Sequence, residues 1–372
     1  MSARVCVRYI PVIPLDHFQH SARWRIRSFC VILFAGFGQQ LFMRIKSSIC
    51  MRTSASRSWV PWFIAVPGLL CAIITAHAAS RVIAWGDTNY DLTLGPRHSI
   101  QWLTGIAAGD FHSMALQRNG TVIAWGDDRF GQINIPADLK PNSVAQIAAG
   151  NIHSLALLRD GSVAVWGDYA GYGLDAVPAG LKKVVAVAAG AVHSLALKRD
   201  GTVAAWGFNN FGQCDVPPGL NRVVAIAGGM YHSLALKRDG TVVAWGNDAQ
   251  GQTDAPPALN NVVAIAAGGF HSLALRQDGT VVSWGKYGLI HVDVPGGLSN
   301  VVSIATGDYH SLALKRDGTV VVWGLDWCGQ CDVPAGLKNV VMISARGNHS
   351  MAVVNDDPHA TFQSNWRILR PF

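Results

Sequence analysis

From residue 80 onward, apolar and polar positions alternate in short runs that recur along the chain. In NVVAIAAGGFHSLALRQDGTVVSWGKYG, the runs 262–266, 272–275 and 280–284 are apolar or alternating and rich in β-branched residues. Glycine, Asp-Gly and Trp-Gly bound these runs, which predict three strands per unit. A weaker run, GQCDVP, ends at proline and predicts a fourth strand at an outer edge. Residues 80–354 carry no helical periodicity, which indicates an all-β fold.

The unit recurs seven times at a spacing of 39–41 residues. Periods near 40 are typical of solenoids and propellers, and four strands per unit favour a seven-bladed β-propeller. The recurring tryptophan is predicted to pack between blades, with a following glycine that permits a turn or a close backbone approach. Seven Trp-Gly and seven His-Ser pairs mark the repeat: Trp85, Trp125, Trp166, Trp206, Trp245, Trp284 and Trp323, and His112, His153, His193, His232, His271, His310 and His349.

The two ends of the repeat region predict a closed ring. The first unit starts at 81–85 without a His-Ser strand, and the last ends at 349–354 without a Trp-Gly strand. Each end supplies what the other lacks, so we expect the N- and C-terminal strands to pair, whereas a linear array would need polar caps. Asp278-Gly279 and its equivalents predict tight hairpin turns with positive φ angles.

The residues before the repeats predict a leader. A basic stretch at 52–57, an apolar run at 59–76 and Ala76-His77-Ala78 fit a secretory signal peptide, so we expect 51–79 to be a cleaved signal or a retained anchor. Residues 1–50 are then a doubtful N-terminal extension, with Met51 as the expected start. The propeller spans 80–354, and a tail without a clear role follows at 355–372.

The basic excess of the chain is confined to this leader. The formal charge is +7, but residues 1–79 hold nine Lys/Arg against one Asp, and residues 80–372 hold 21 against 22. A nearly neutral folded region weakens the case for nucleic-acid binding. We expect no nucleic-acid partner, no membrane association after signal cleavage, and a monomer.

The repeated residues resemble the regulator-of-chromosome-condensation repeat family. The similarity lies in AAGxxHSLAL, DGTV, WG and GQxDVP and covers roughly 81–354. It implies a seven-bladed propeller in the compact form of bacterial members, which include the propeller-type β-lactamase inhibitory protein. The nuclear members that act as nucleotide-exchange factors use a wedge inserted between strands, and no repeat here contains an insertion of that size.

Seven histidines, each followed by serine, invite a metal or nucleophile interpretation. Metal sites use three or four convergent ligands, so a sevenfold set favours a structural role in which each imidazole bonds locally to backbone. Adjacent strand residues point to opposite faces, so His112 and Ser113 cannot pair within a blade. Cys328 and Cys331 have redox-pair spacing, but Cys331 sits in the repeated GQCDVP and no second pair follows. We predict no catalytic residues, no metal and no cofactor.

Positions that differ between repeats carry any specificity. Because equivalent loops share one propeller face, the residues before each histidine and after each Trp-Gly would form a partner-binding rim with aromatic anchors. The alternative, that they only cap the blades, remains open. The predicted face comprises Phe111, Tyr231, Phe270, Tyr309, Ile152, Val192, Phe130, Tyr169 and Trp327.

The sequence therefore predicts a secreted or periplasmic, non-catalytic propeller that binds another protein through one loop face. Two alternatives remain: an exchange-factor-like regulator of a small GTPase, and a carbohydrate-binding or hydrolytic propeller.

Overall fold

The computed structural model describes residues 80–95, 102–167, 171–288, 290–291 and 293–355. The predicted leader (1–79), Tyr169 and the tail from 356 onward lie outside this part of the chain. No helix within the described part is long and apolar enough to cross a membrane.

Short antiparallel strands form seven separate sheets in the described residues. The first strands of the blades contact one another from sheet to sheet around a full circle and are therefore innermost. They are β2 (Leu103–Ala108), β5 (Val144–Ala149), β8 (Val184–Ala189), β11 (Val223–Gly228), β14 (Val262–Ala267), β18 (Val301–Thr306) and β21 (Val340–Arg346).

The middle strand of each blade starts at the repeated histidine. These strands are β3 (His112–Gln117), β6 (His153–Leu158), β9 (His193–Lys198), β12 (His232–Lys237), β15 (His271–Arg276), β19 (His310–Lys315) and β22 (His349–Asn355). The outer strands carry the repeated tryptophan: β4 (Val122–Gly126), β7 (Val163–Gly167), β10 (Val203–Gly207), β13 (Val242–Gly246), β16 (Val281–Tyr287), β20 (Val320–Gly324) and β1 (Ser80–Gly86).

The ring closes through its two ends, as the sequence predicts. β1 pairs antiparallel with β22, from Ser80 opposite Asn355 to Gly86 opposite His349. The last blade is thus assembled from both ends of the propeller, and the fold is the predicted seven-bladed β-propeller.

The predicted fourth strand is absent from six of the seven blades in the described residues. Only β17 (Ile290–His291) pairs with β16. Elsewhere local bonds take up the backbone donors: the amide of Cys214 donates to Asn209 Oδ1 at 2.8 Å, and that of Val216 to the Cys214 carbonyl at 2.9 Å. GQCDVP therefore curls into turns whose local bonds take up most of its backbone donors, and no strand ladder forms there.

The hairpin turns also differ from the predicted type. Only the glycine has a positive φ, +80° at Gly201, whereas Asp200 is not among the residues with positive φ. Gly201 donates to the Lys198 carbonyl, and Lys198 to the Thr202 carbonyl, both at 2.9 Å. This is a type I turn followed by a glycine bulge, with Asp200 Oδ1 accepting from the Thr202 amide at 3.0 Å.

The apolar core is divided into seven clusters, one at each junction between neighbouring blades. In the junction between the first two complete blades, Met114 and Leu116 of β3 pack with Ile147 of β5 and Trp166 of β7. Each repeated tryptophan is buried against the preceding blade. The glycine after it has no room for a side chain: a Cβ on Gly126 would lie 2.7 Å from the Phe111 carbonyl oxygen.

Candidate functional site

The two faces of the ring are built from different segments. His112 pairs with Gly126 in the β3–β4 register, so the loop before each histidine and the loop after each Trp-Gly emerge on the same side. We call this side the loop face. The Asp-Gly turns lie on the other side, which we call the hairpin face, together with the segments that lead into the inner strands. For example, the Arg159 amide in one such turn donates to the Ser143 carbonyl at 2.7 Å.

The predicted face residues all belong to loop-face segments, but their exposure varies widely. Trp327 is 61% exposed, while Phe130 and the four aromatic residues that precede a histidine (Phe111, Tyr231, Phe270 and Tyr309) are half-buried. Ile152 and Val192 are buried, at 6% and 8% exposure. These two apolar side chains support the loops from beneath, so they offer little surface to a partner.

One aromatic cluster joins loops of the second, third and fourth complete blades. The Phe211 and Tyr231 rings lie 4.9 Å apart between centroids, and Phe208 lies 6.2 Å from each of them. Tyr172 meets Phe208 edge-on at 5.6 Å. Phe211 and Tyr172 remain 45% and 41% exposed, so the cluster presents aromatic surface to solvent.

A second cluster crosses the fifth and sixth complete blades. Phe270 stacks on Tyr309 at 5.5 Å, and Tyr309 contacts Trp327 at 5.4 Å. The ring before His271 thus meets the ring before His310, which in turn meets the ring of Trp327 in the loop after Trp323. Half-buried rings hold the base of the cluster, and Trp327 projects from it.

A third aromatic site on this face carries a charge. Tyr90 meets Phe111 edge-on at 5.6 Å, and the Arg129 guanidinium lies 4.8 Å from the Tyr90 ring centre. Arg129 also donates to Tyr90 Oη at 2.8 Å and to both oxygens of Asp127 at 3.0 Å. These bonds raise the pKa of Arg129 and orient its guanidinium.

Sequence reasoning missed Phe208 and Tyr172 as members of these clusters. Phe208 follows Trp206-Gly207 directly, at a position held by Asp127 or Asn247 in sister blades. That departure within the repeat was the available signal. Tyr172 stands two residues before Leu174, as Phe130 and Phe211 stand two residues before Gln132 and Gln213, and the carbonyls of these three later residues all accept from a repeated tryptophan. Its position in the repeat was therefore the available signal.

The repeated histidines and serines join the blades in a closed circuit. Each imidazole Nε2 bonds to the serine hydroxyl of the next blade, not to backbone as predicted. His112 reaches Ser154 at 2.8 Å, and His349 of the last blade returns to Ser113 at 2.9 Å. The five other pairs are His153–Ser194, His193–Ser233, His232–Ser272, His271–Ser311 and His310–Ser350, at 2.9–3.1 Å.

The wider network fixes the protonation of this circuit. Ser154 Oγ donates its only proton to the Gln132 carbonyl at 2.8 Å, and Trp166 Nε1 donates to the same oxygen at 2.9 Å. Ser154 must therefore accept from a protonated Nε2 of His112, which leaves a neutral imidazole with a bare Nδ1. Ser233, Ser272 and Ser350 donate to a glutamine carbonyl in the same way. All seven Nδ1 atoms are buried and have no hydrogen-bond partner in the structure. Burial lowers the pKa of His112, His193, His232 and His310 to about 3 and of His271 and His349 to about 4, and it lowers that of His153 well below 6.5.

This arrangement does not suit nucleophilic catalysis. His112 and Ser154 are both fully buried, so no substrate can reach the hydroxyl. The hydroxyl proton also points to a carbonyl rather than to the imidazole. Within the described residues, no group of three or more His, Cys or Asp side chains has metal-binding geometry.

A single arginine lies across the axis of the ring. Arg346 takes the position that the other six blades fill with glycine, such as Gly109. Its Nε donates to Asp110 Oδ1 of the adjacent blade at 2.9 Å. Its Nη1 donates at 3.1 Å to the Ala189 and Gly228 carbonyls of two more distant blades. Arg346 therefore fills the centre of the ring beneath the loop face.

Two carboxyl groups are associated with this arginine. Burial raises the pKa of Asp110, although Arg346 opposes the shift. Burial and the neighbouring Asp110 charge raise the pKa of Asp308 to about 8. One guanidinium does not fully compensate two carboxylates, so the axial group is poised to hold a proton near neutral pH.

The cysteine pair shows no sign of redox activation. Cys214, Cys328 and Cys331 are free thiols in the described part of the chain. Cys331 Sγ contacts the Leu325 carbonyl, and burial raises its pKa to about 11. The pKa of Cys328 is raised as well, whereas an activated thiol has a lowered pKa.

Comparison with known proteins identifies the repeat. The regulator of chromosome condensation (RCC1) repeat matches six segments, at residues 104–132, 144–173, 184–213, 223–252, 262–286 and 301–330. No curated protein sequence matches the chain.

Solved structures share the fold at low sequence identity. Prp20p from Saccharomyces cerevisiae, studied for its binding to Gsp1p and histones, matches with a TM-score of 0.62 and 22% identity over 75% of this chain and 92% of that one. Human WBSCR16 matches with a TM-score of 0.59 and 20% identity over 74% and 99%. The ectodomain of the Physcomitrella patens receptor kinase CR4 matches with a TM-score of 0.54 and 22% identity over 66% and 69%.

Proposed function

Because the chain belongs to the regulator of chromosome condensation (RCC1) repeat family, we propose that its ring is a non-catalytic binding module that holds another protein on the loop face. The observation that carries this proposal is the pair of aromatic clusters, which leave Phe211 and Trp327 45% and 61% exposed. Large aromatic side chains dominate binding energy at protein interfaces. Half-buried rings already hold these two in place, so little side-chain entropy is lost on binding.

The charge around the clusters specifies the partner further. The loop segments after Trp-Gly carry Asp87, Asp91, Asp127, Asp128, Asp248 and Asp326 against two cations, Arg129 and Lys286, in the described residues. A complementary partner presents an apolar centre with a basic rim. Prp20p, which shares the fold, was studied for binding to two kinds of protein, Gsp1p and histones.

Export from the cytoplasm is part of the proposal and rests on the sequence pattern of residues 51–78. The relevant partners are then proteins of the cell envelope or the medium. Capture of a small GTPase instead would favour the exchange-regulator alternative.

The test is affinity capture with residues 80–372 as bait, in wild-type form and with Phe211→Ala and Trp327→Ala combined. Both side chains are exposed, so their truncation leaves the blade junctions intact. Trp102→Asn is the matched control: it removes a 44% exposed tryptophan from the hairpin face and introduces the residue of sister blades such as Asn261. A specific partner should be retained by the wild type and the control and lose at least about tenfold in affinity with the double variant. Equal retention by all three baits, or no partner at all, would overturn the proposal.

A further inference from the structure

The hairpin face is strongly basic. It carries fifteen Lys/Arg and six Asp among the described residues. The acids are Asp138 and the turn residues Asp160, Asp200, Asp239, Asp278 and Asp317. The bases are Arg81, Arg118, Lys140, Arg159, Lys182, Lys183, Lys198, Arg199, Arg222, Lys237, Arg238, Arg276, Lys315, Arg316 and Lys338.

The rest of the ring has the opposite sign. Arg129 and Lys286 are the bases of the loop-face segments, and Arg346 is at the axis. The thirteen other described aspartates belong to the loop face or to the turns that follow it. The net charge of the folded region is therefore near zero because a basic side and an acidic side cancel in the sum.

Backbone contacts fix the bases on the hairpin face. A Cβ added to the hairpin glycine Gly161 would lie 3.2 Å from the Cα of Lys183, and one on Gly201 would lie 3.1 Å from that of Arg222. The Arg199 amide donates to the Lys183 carbonyl at 2.9 Å, which joins one turn to the next segment. Lys182, Lys183, Arg199 and Arg222 are all exposed, so they form a continuous basic patch across two blades.

Internal pairing leaves most of this charge available. Two ion pairs on this face, Lys237–Asp239 at 3.5 Å and Lys315–Asp317 at 3.4 Å, stay within single turns. The turn carboxylates are also bound locally: Asp200 Oδ1 accepts from Thr202 Oγ1 at 2.6 Å.

We propose that the hairpin face binds the surface of a lipid bilayer rich in anionic headgroups. Equivalent turns of equivalent blades reach the same level, so the charges form a flat ring rather than a cleft. A flat array of lysine and arginine suits a planar anionic surface, where each charge near the headgroups adds to the attraction. Trp102, exposed beside Arg118 on this face, is the residue type that favours the membrane–water interface.

A nucleic acid suits this face less well. Single strands are held by aromatic rings on which bases stack, and Trp102 is the one large exposed apolar side chain on this side of the described chain. Base readout in a duplex needs an element that enters a groove, whereas these turns are level. Bound in this way, the ring lies flat on the bilayer and turns its loop face outward toward a protein partner.

The experiment measures binding of residues 80–372 to vesicles. This segment contains all described strands and closes through its own ends. The first vesicles contain phosphatidylcholine alone, and the second contain phosphatidylglycerol as the main lipid. The test variant combines Lys182→Asn, Lys183→Asn, Arg199→Gln and Arg222→Asn, and every new residue occupies that position in a sister blade, as at Asn260, Asn261 and Gln277. The control combines Arg129→Gln and Lys286→Asn on the loop face.

The wild type should bind the anionic vesicles, release them as salt rises, and not bind phosphatidylcholine. Each removed charge should weaken binding about fivefold, so the test variant, which lacks four charges, should lose nearly three orders of magnitude while the control stays at the wild-type level. Failure to bind anionic vesicles, or equal binding by wild type and test variant, would overturn the proposal. Binding to duplex DNA or heparin without vesicle binding would also overturn it, as would head-to-tail oligomers at low salt in place of vesicle binding.

Discussion

The buried histidine circuit predicts that the propeller unfolds in mild acid. A histidine whose pKa is depressed in the folded state is fully stabilising above its unfolded value of about 6.5. That stability is lost as pH falls toward the pKa in the folded state, because the unfolded chain binds protons that the folded chain does not bind. The folded values are about 3 for four of the seven, for example His232, and about 4 for His271 and His349.

The size of the effect follows from the number of sites. Between pH 7 and 5.5, each such histidine should reduce the free energy of unfolding by about 1.3 kcal/mol, and seven by about 9 kcal/mol. Asp308 acts in the opposite sense. Because its pKa is raised, the folded state holds a proton that the unfolded chain binds only when the pH falls to about 4. Between pH 7 and 5.5 this proton adds about 2 kcal/mol to the free energy of unfolding. The net loss of about 7 kcal/mol is comparable with the whole stability of a typical protein, about 5–15 kcal/mol.

The assay is urea unfolding of residues 80–372 at a series of pH values, followed by tryptophan fluorescence. The free energy of unfolding should fall steeply between pH 6.5 and 5.5, and the net number of protons taken up per unfolding event should rise from about 2.5 to about 5 across that interval. His232→Gln keeps a donor toward Ser272 and should lower this number by one. A free energy that stays constant between pH 7 and 5.5, or a variant with unchanged slope, would refute the assignment of seven neutral buried imidazoles.

Two further predictions concern positions that break or obey the repeat. Arg346→Gly restores the residue of the other six blades but leaves Asp110 buried without its cation, so it should lower the free energy of unfolding in urea by about 3–5 kcal/mol at neutral pH. Adding Asp110→Asn should recover most of that loss. An Arg346→Gly chain as stable as wild type would show that the axial pair contributes nothing. Gly126→Ala should lower the free energy of unfolding by about 3 kcal/mol or more, because the new Cβ would lie 2.7 Å from a carbonyl oxygen at a φ of +114°. Gly180→Ala should lower it by only about 1 kcal/mol, because Gly180 has a φ of +77° and nothing within 4 Å of the new Cβ. Equal melting temperatures for the two glycine variants would contradict this difference.

The strand pattern was readable from sequence because glycine and Asp-Gly punctuate it. The run predicted at 272–275 is β15, His271–Arg276, and the run at 262–266 is β14, Val262–Ala267. Ring closure was equally readable, since the first and last units lack complementary strands. The predicted fourth strand at GQCDVP was wrong because the alternation there resembles that of a strand. In the structure, backbone amides of this segment donate to Asn209 Oδ1 and to the Cys214 carbonyl within local turns.

The candidate sites were only partly readable, because they depend on which blades meet. Loop position correctly placed Phe111 and Trp327 on one face, but only packing shows that Ile152 lies beneath it. The sequence ISARGNHS marks Arg346 as a departure from the repeat, yet its bonds to Ala189 and Gly228 require the ring itself. Likewise, net charge is a sum along the chain and carries no information on how a fold separates acids from bases.

Binding through the loop face is tested most directly by amide hydrogen exchange of the purified complex between residues 80–372 and the captured partner. We expect protection of the loop-face segments 208–213 and 325–330, with the turns at 199–201 and 238–240 exchanging as in the free ring. Protection of those turns with the loop segments unchanged would place the partner on the hairpin face and contradict the central claim.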